Sequence, residues 1–149
     1  MPFQPVKLAD RPAYDRFFHK CGTAASDYCF VNVWGWAEEY DLEIRFETDC
    51  VLIRQQDETP VYWAPLGDWE AMDWNDVFAR LRPKGNLVFT RVPEDLLEIW
   101  RSLPDWRLET AEERGHWDYI YRVEDLISLK GNKLHKKKNL VNQFVKQYP

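Results

Sequence analysis

Between Leu42 and Ala64 the chain reads as three short strands in succession. Leu42, Ile44 and Phe46 alternate with Glu43, Arg45 and Glu47, which is the period of a strand with one face buried. Val51–Arg54 and Pro60–Ala64 follow, and the polar Gln55–Thr59 between them reads as a turn, so the three form an antiparallel meander. An apolar sheet face must be covered by other elements, and this requirement organises the reading of the rest of the chain.

The flanks supply candidates for that cover. Gln4–Leu8 is a further short strand. Asp10 as an N-cap with Pro12 in the first turn opens a helix whose stripe of Tyr14, Phe17 and Phe18 runs to Gly22. Ser26 or Asp27 caps a second helix over about Tyr28–Tyr40, carrying Phe30, Val31, Trp34 and Tyr40, with Gly35 as its weak point. After Pro65 and Gly67 a helix around Trp69–Leu81 presents Met72, Val77, Phe78 and Leu81 and stops at Pro83 and Gly85. Leu87–Val92 is an apolar strand. Pro93, Glu94 and Asp95 then open a helix to about Leu103, and Trp106–Thr110 with Trp117–Arg122 make a closing strand pair. The expectation is an α/β (α+β) domain with a mixed central sheet of about seven strands flanked by helices.

Composition limits the function classes. With 149 residues, 45% of them hydrophobic and 15% aromatic, the chain suits one domain with a real core and is not disordered. Cys21, Cys29 and Cys50 are odd in number and form no CxxC, so a reducing compartment is the simplest account. The start MPFQPVKLADRP lacks the order of a signal peptide, and no apolar run approaches the roughly 20 residues that span a bilayer. A soluble, cytoplasmic protein is expected, with peripheral membrane contact left open.

Charge is segregated. Leu126–Pro149 holds six Lys and no acid, whereas Met1–Asp125 has 14 bases against 25 acids, so a body near −11 carries a tail near +6. The sequence pI of about 5.2 argues against non-specific nucleic-acid binding by the whole surface, and DNA is not an expected partner. A polyanion would have to be met at the tail. Gly131 and Asn132 stop a short helical turn, and a second, long helix runs from Lys133 to about Tyr148. At 100° per residue Leu134, Leu140, Val141, Phe144, Val145 and Tyr148 share one arc, the expected buried face. His135, Asn139, Asn142 and Lys146 line the opposite side.

Lys133, Lys136, Lys137 and Lys138 sit in the first turns, where cations oppose the helix dipole by about 0.3–1 kcal/mol each. One reason to accept that cost is an anion, since a helix N-terminus beside lysines is a ready phosphate or carboxylate site. The bland alternative is that the acidic body neutralises them or that they are merely solvated.

The order of elements is similar to the GNAT acyltransferase fold. FVNVWGWAEEY (30–40), WAPLG (63–67), WDYIY (117–121), EDLISLKGNKLHKKKNLVNQF (124–144) and the closing YP together resemble the bacterial proteins grouped with the C-terminal region of phosphatidylglycerol lysyltransferase. The resemblance spans nearly the whole chain, and LKGNKLHKKKNLVNQF is its most recognisable segment. It implies two GNAT-like halves joined by a helix of this type, with residues 1–122 as a GNAT-like domain and 123–149 as the Lys-rich connecting segment leading to a second domain. A helix whose apolar arc runs to Tyr148 with no polar finish is read as truncated, its face needing a partner.

The implied chemistry is transfer of an acyl or aminoacyl group to an amine or hydroxyl, with acyl-CoA or aminoacyl-tRNA as donor. Catalytic residues are not carried over, because the match is to the first half alone. Lys133, Lys136, Lys137 and Lys138 are expected to hold the donor's phosphates, and His135, Asn139 and Asn142 to orient substrate or bind the second half. The rivals are a non-catalytic module binding tRNA or anionic lipid headgroups, and a domain self-associating through its last helix.

Other motifs weigh less. Pro65-Leu66-Gly67-Asp68-Trp69-Glu70 occupies the place of a pyrophosphate loop, but one Gly beside two carboxylates suits a structural turn better. His19, His116 and His135 have no ligand spacing, so no metal is expected, and Cys29 reads as a buried small side chain. His116 beside Trp117 and Asp118 could be a general base, though a loop His is usually structural. Trp34, Trp69, Trp100 and Trp106 are expected in the core, with Trp36, Trp74 and Trp117 as candidates for exposure.

Overall fold

Leu42–Phe46 (β2) and Cys50–Gln55 (β3) pair antiparallel with Ile44 opposite Ile53 and Glu43 opposite Arg54. That register places apolar pairs on one face, while on the other Arg54 forms an ion pair with Glu43. The computed structural model describes residues 2–22, 25–81 and 86–148. Gln4–Pro5 (β1) adds an edge to β2; Val61–Trp63 (β4) and Leu66–Gly67 (β5) both pair antiparallel with β3. Val88–Thr90 (β6) joins β4 in parallel, so the order is β1-β2-β3-β4-β6 with β5 against β3. The fold is mixed α+β, with one open mixed sheet of six strands among the described residues.

Four helices accompany this sheet: Arg11–Phe18 (α1), Phe30–Gly35 (α2), Trp74–Leu81 (α3) and Glu94–Arg101 (α4). Successive side chains of a strand point to opposite faces, so Trp63 and Tyr62 of β4 face different partners. Trp63 meets Tyr28 edge-on at 6.2 Å, and Tyr14 of α1 donates its hydroxyl to the Tyr28 carbonyl at 2.9 Å. Tyr62 meets Phe89, which lies among Phe78 and Trp100 at 5.7 and 4.8 Å between ring centres. Cys50, Val51, Leu52 and Ile53 of the central strand are all buried, as a strand covered on both faces requires.

Several elements are shorter than expected. The first strand stops at Pro5, and Leu8–Asp10 form a 3-10 turn in which Asp10 accepts the Lys7 N–H at 2.7 Å instead of capping α1. The second helix is only Phe30–Gly35, ending where Gly35 weakens it. The expected stop at Pro83 and Gly85 lies outside the described residues.

The closing strand pair is a correction: neither 106–110 nor 117–122 is a strand, while the unexpected Leu66–Gly67 adds one, which makes six among the described residues. Trp106 instead turns its indole onto Phe78, with Nε1 donating to Asn75 Oδ1 at 2.6 Å. Alternation in WDYIY needs a paired neighbour to become a strand, and Tyr119 and Ile120 are 86% and 94% exposed.

The chain divides into two units, residues 1–116 and 117–149. The second contains Val123–Ser128 (α5), closed by Leu129 in the left-handed region at φ +46°, and His135–Gln147 (α6). The expected buried arc of α6 is corrected here. Leu140, Val141, Phe144, Val145 and Tyr148 are each about half exposed or more, since neither α5 nor the preceding turn covers them.

Candidate functional site

The lysines lie at and just before the start of α6. Gly131, at φ +87°, turns the chain into Lys133 and Leu134, and Leu134 is the N-cap of α6 without a side-chain cap bond. Lys136, Lys137 and Lys138 fill the first turn, which contains no acid. The intrahelical ladder begins with Lys138 N–H on the Leu134 carbonyl at 3.0 Å, so the amides before it point outward with no intrahelical acceptor. Lys133 and these three are exposed, and none is ion-paired with Glu124 or Asp125, the carboxylates of α5. His135, Asn139, Asn142 and Lys146 are exposed as well, and among the described residues their side chains make no hydrogen bond. The arrangement concentrates positive charge at the start of α6.

A second constellation, in residues 1–116, was missed by sequence reasoning. Arg91 lies in the left-handed region at φ +57°, where a non-Gly residue is strained by about 1–3 kcal/mol. Its backbone carbonyl accepts the buried Tyr28 hydroxyl at 2.6 Å, and that same hydroxyl accepts the Ala64 N–H at 3.1 Å. Burial, with Asp27 nearby, pushes the Tyr28 phenol far above its ordinary range, so it remains a neutral donor. The Arg91 guanidinium stacks 4.7 Å above Trp63 and 5.7 Å from Tyr40, and its Nη1 donates to Asp27 Oδ2 at 2.8 Å. Asn32, Trp36 and Gly115 complete the walls of a cleft of about 210 Å³. No motif marks these residues, which come from four separate elements. The sequence signal was only the FVNVWGWAEEY stretch, whose Asn32, Trp36 and Tyr40 recur on one helical side.

The other large concavity, about 310 Å³, is lined by Arg45, Arg54 and Arg80 around Phe3 and Tyr62. Each arginine is already engaged. Arg45 Nε lies 2.6 Å from Glu47 without hydrogen-bond alignment, Arg54 pairs with Glu43, and Arg80 reaches Asp49 at 3.0 Å. Acids there outnumber or match the bases, so this wall is a structural ion-pair network.

The loop at Pro65–Glu70 is structural too. A Cβ on Gly67 would come within 2.6 Å of the Asp49 carbonyl, so the glycine serves close packing of β5 on β3, and Asp68 Oδ1 accepts the Ala71 N–H. Cys29, expected to be buried, is exposed at the start of α2; Cys50 is buried and its thiol is pushed up to about 12 by burial, then by Asp49. Trp34 and Trp74 exchange their expected places: Trp34 is 44% exposed, whereas Trp74 is buried and donates Nε1 to the Trp69 carbonyl. Trp36 and Trp117 are exposed. Among the described residues no three His, Cys, Asp or Glu are grouped to hold a metal ion, and no helix is long and apolar enough to cross a membrane.

The model of the phosphatidylglycerol lysyltransferase C-terminal family matches residues 19–149. Among solved structures, a conserved protein of unknown function from Bacteroides thetaiotaomicron is similar, with a TM-score of 0.78 and 28% identity, over 100% of this chain and 51% of that one. The chain thus spans about half the length of the solved protein it matches. No curated protein matches.

Proposed function

Because the chain belongs to the phosphatidylglycerol lysyltransferase C-terminal family, we propose that it is one half of an acyl- or aminoacyltransferase-like protein, supplying a wall of the substrate cleft and a basic helix start. The family match over residues 19–149 carries this reading. Residues 1–122 are then a GNAT-like domain, and 123–149 the segment that docks a second GNAT-like domain. The parallel β4–β6 pair joined through α3 after an antiparallel meander is consistent with that fold. The bare apolar arc of α6 and the doubled length of the solved relative are consistent with a docked second half.

In this reading Lys133, Lys136, Lys137 and Lys138 hold the phosphates of the donor, acyl-CoA or aminoacyl-tRNA, or those of a lipid headgroup. His135, Asn139 and Asn142 orient the substrate or the second half. The protein purified from its source cells should transfer a radiolabelled aminoacyl group from lysyl-tRNA to phosphatidylglycerol vesicles. Lys136→Ala/Lys137→Ala/Lys138→Ala should raise the apparent KM for the donor. Absence of transfer from lysyl-tRNA and from acyl-CoA alike would remove the transferase reading.

A second reading is favoured by the basic cluster alone: a non-catalytic module binding tRNA or anionic lipid. Its affinity should fall with salt with a log–log slope of roughly 0.7–0.9 per phosphate neutralised, and the triple substitution should flatten it. Self-association through α6 is the third, and a mass independent of concentration would exclude it.

A further inference from the structure

We propose that the Arg91 cleft binds a small zwitterion, a molecule of free amino-acid size carrying both a carboxylate and an ammonium group. The inference rests on residues 1–116 alone and holds whether or not the transferase reading does.

Size comes first. A cleft of about 210 Å³ falls below the roughly 300–1,000 Å³ of sites for drug-sized ligands, so its occupant is small. Unused hydrogen-bonding capacity comes next. Arg91 spends Nη1 on Asp27 Oδ2. Among the described residues its Nε and Nη2 have no acceptor, and Asp27 Oδ1 has no donor. One planar fork of the guanidinium is therefore available to a carboxylate, and one carboxylate oxygen to an ammonium. Asn32 donates its amide N–H to the Ser26 carbonyl at 2.7 Å, which leaves its Oδ1 as a second acceptor for the same ammonium.

Charge then selects the ligand. Asp27 and Arg91 cancel, and their side chains retain only 30% and 15% exposure. A simple anion would leave the cleft one charge negative and a simple cation one charge positive, each beside the rings of Trp36, Tyr40 and Trp63. A zwitterion keeps the balance. Gly115, whose N–H donates to Glu113 at 2.9 Å, lines the cleft as well. Trp36 and Tyr40, with rings 5.8 Å apart, offer faces to that ammonium or to an apolar side chain.

Preorganisation supports a binding role over a purely structural one. The guanidinium is fixed by stacking on Trp63, by Asp27, and by a strained backbone pinned through Tyr28. A strained residue held by a buried hydroxyl is a backbone position fixed before any ligand arrives.

The test is titration of the 149-residue protein with free L-amino acids of acidic, basic, aromatic and aliphatic types, followed by Trp fluorescence and calorimetry. At least one should bind saturably at roughly millimolar concentration or below, and its N-acetyl and carboxamide forms should each bind roughly tenfold more weakly or worse. Arg91→Met and Asp27→Asn should abolish binding, and Arg91→Lys should weaken it by losing the fork. Trp36→Leu, at a side chain 52% exposed, should weaken binding while the melting temperature stays unchanged, which keeps the test open if the Arg91 variants fold poorly. No saturable binding by any free amino acid overturns the proposal. So does binding that survives N-acetylation, amidation or loss of the Arg91 guanidinium.

Discussion

The helices of residues 1–116 and of 117–149 each carry apolar side chains but bury them to opposite extents. Every fully buried apolar side chain among the described residues lies between Tyr14 and Trp100. In the second unit Val123, Ile127, Leu140, Phe144, Val145 and Tyr148 are all near or above half exposure. A helix stripe specifies which side wants cover and says nothing about where the cover comes from. In the first unit the sheet provides it. In the second, α5 and α6 are too few to close a core, and what remains is an exposed apolar face.

The sharpest way to break this contrast is a matched pair of truncations. Phe78 is 2% exposed and packs against Trp74, Phe89, Trp100 and Trp106 with ring centres 4.9–5.8 Å apart. Phe78→Ala should cost about 3–5 kcal/mol in urea unfolding. Phe144→Ala, at 63% exposure, should change stability by no more than about 0.5 kcal/mol. A loss above about 1 kcal/mol at Phe144 would mean that its face is covered in solution.

Next come two positions where the first unit tolerates no freedom. Gly67→Ala places a methyl within 2.6 Å of the Asp49 carbonyl, a backbone atom that cannot step aside, and should cost about 1–3 kcal/mol. Tyr28→Phe leaves the Arg91 carbonyl without its donor and the Ala64 N–H without its acceptor, for a similar loss of about 1–3 kcal/mol. Circular dichroism melts would check both. If Tyr28→Phe proved neutral, water would have replaced the hydroxyl, and the Arg91 backbone would not be pinned as argued.

Much of the first unit was legible in the sequence because its signals are local. Alternation at Leu42–Phe46 and the turn at Gln55–Thr59 report on neighbours in the chain, and the meander follows from them. The strand reading of Trp117–Arg122 failed because alternation describes a side-chain pattern while a strand needs a hydrogen-bonded neighbour. Trp34 and Trp74 were misplaced for a related reason: both sit at helical positions, and only the sheet decides which side is inside. The basic start of α6 was legible as a run of charge. The Arg91 cleft was not, because Asp27, Asn32, Trp63 and Arg91 are brought together by tertiary packing and by a backbone angle that no composition announces.

The smallest effect concerns charge, and it separates the two units by how their charges are held. Arg80 pairs with Asp49 at 3.0 Å, with Asp76 at 3.0 Å and with Glu47 at 3.6 Å, whereas no lysine of α6 is paired with Glu124 or Asp125 of its own unit. Burial alone would raise the Asp49 carboxyl, but the Arg80 hydrogen bond and charge outweigh it and hold the group below the usual carboxylate value. A depressed carboxylate contributes stability that is fully present above its unfolded value of about 3.9 and is lost as pH falls through the lower folded value. Since the Asp49 side chain is 39% exposed, solvent limits the effect to about 1 kcal/mol or less. Asp49→Asn should therefore lower the urea midpoint slightly near neutral pH, and the gap from the parent should close below about pH 4. A gap that persists unchanged into acid would show that the substitution acts through packing at the β3–β5 turn, and the ion pair would then carry none of the difference.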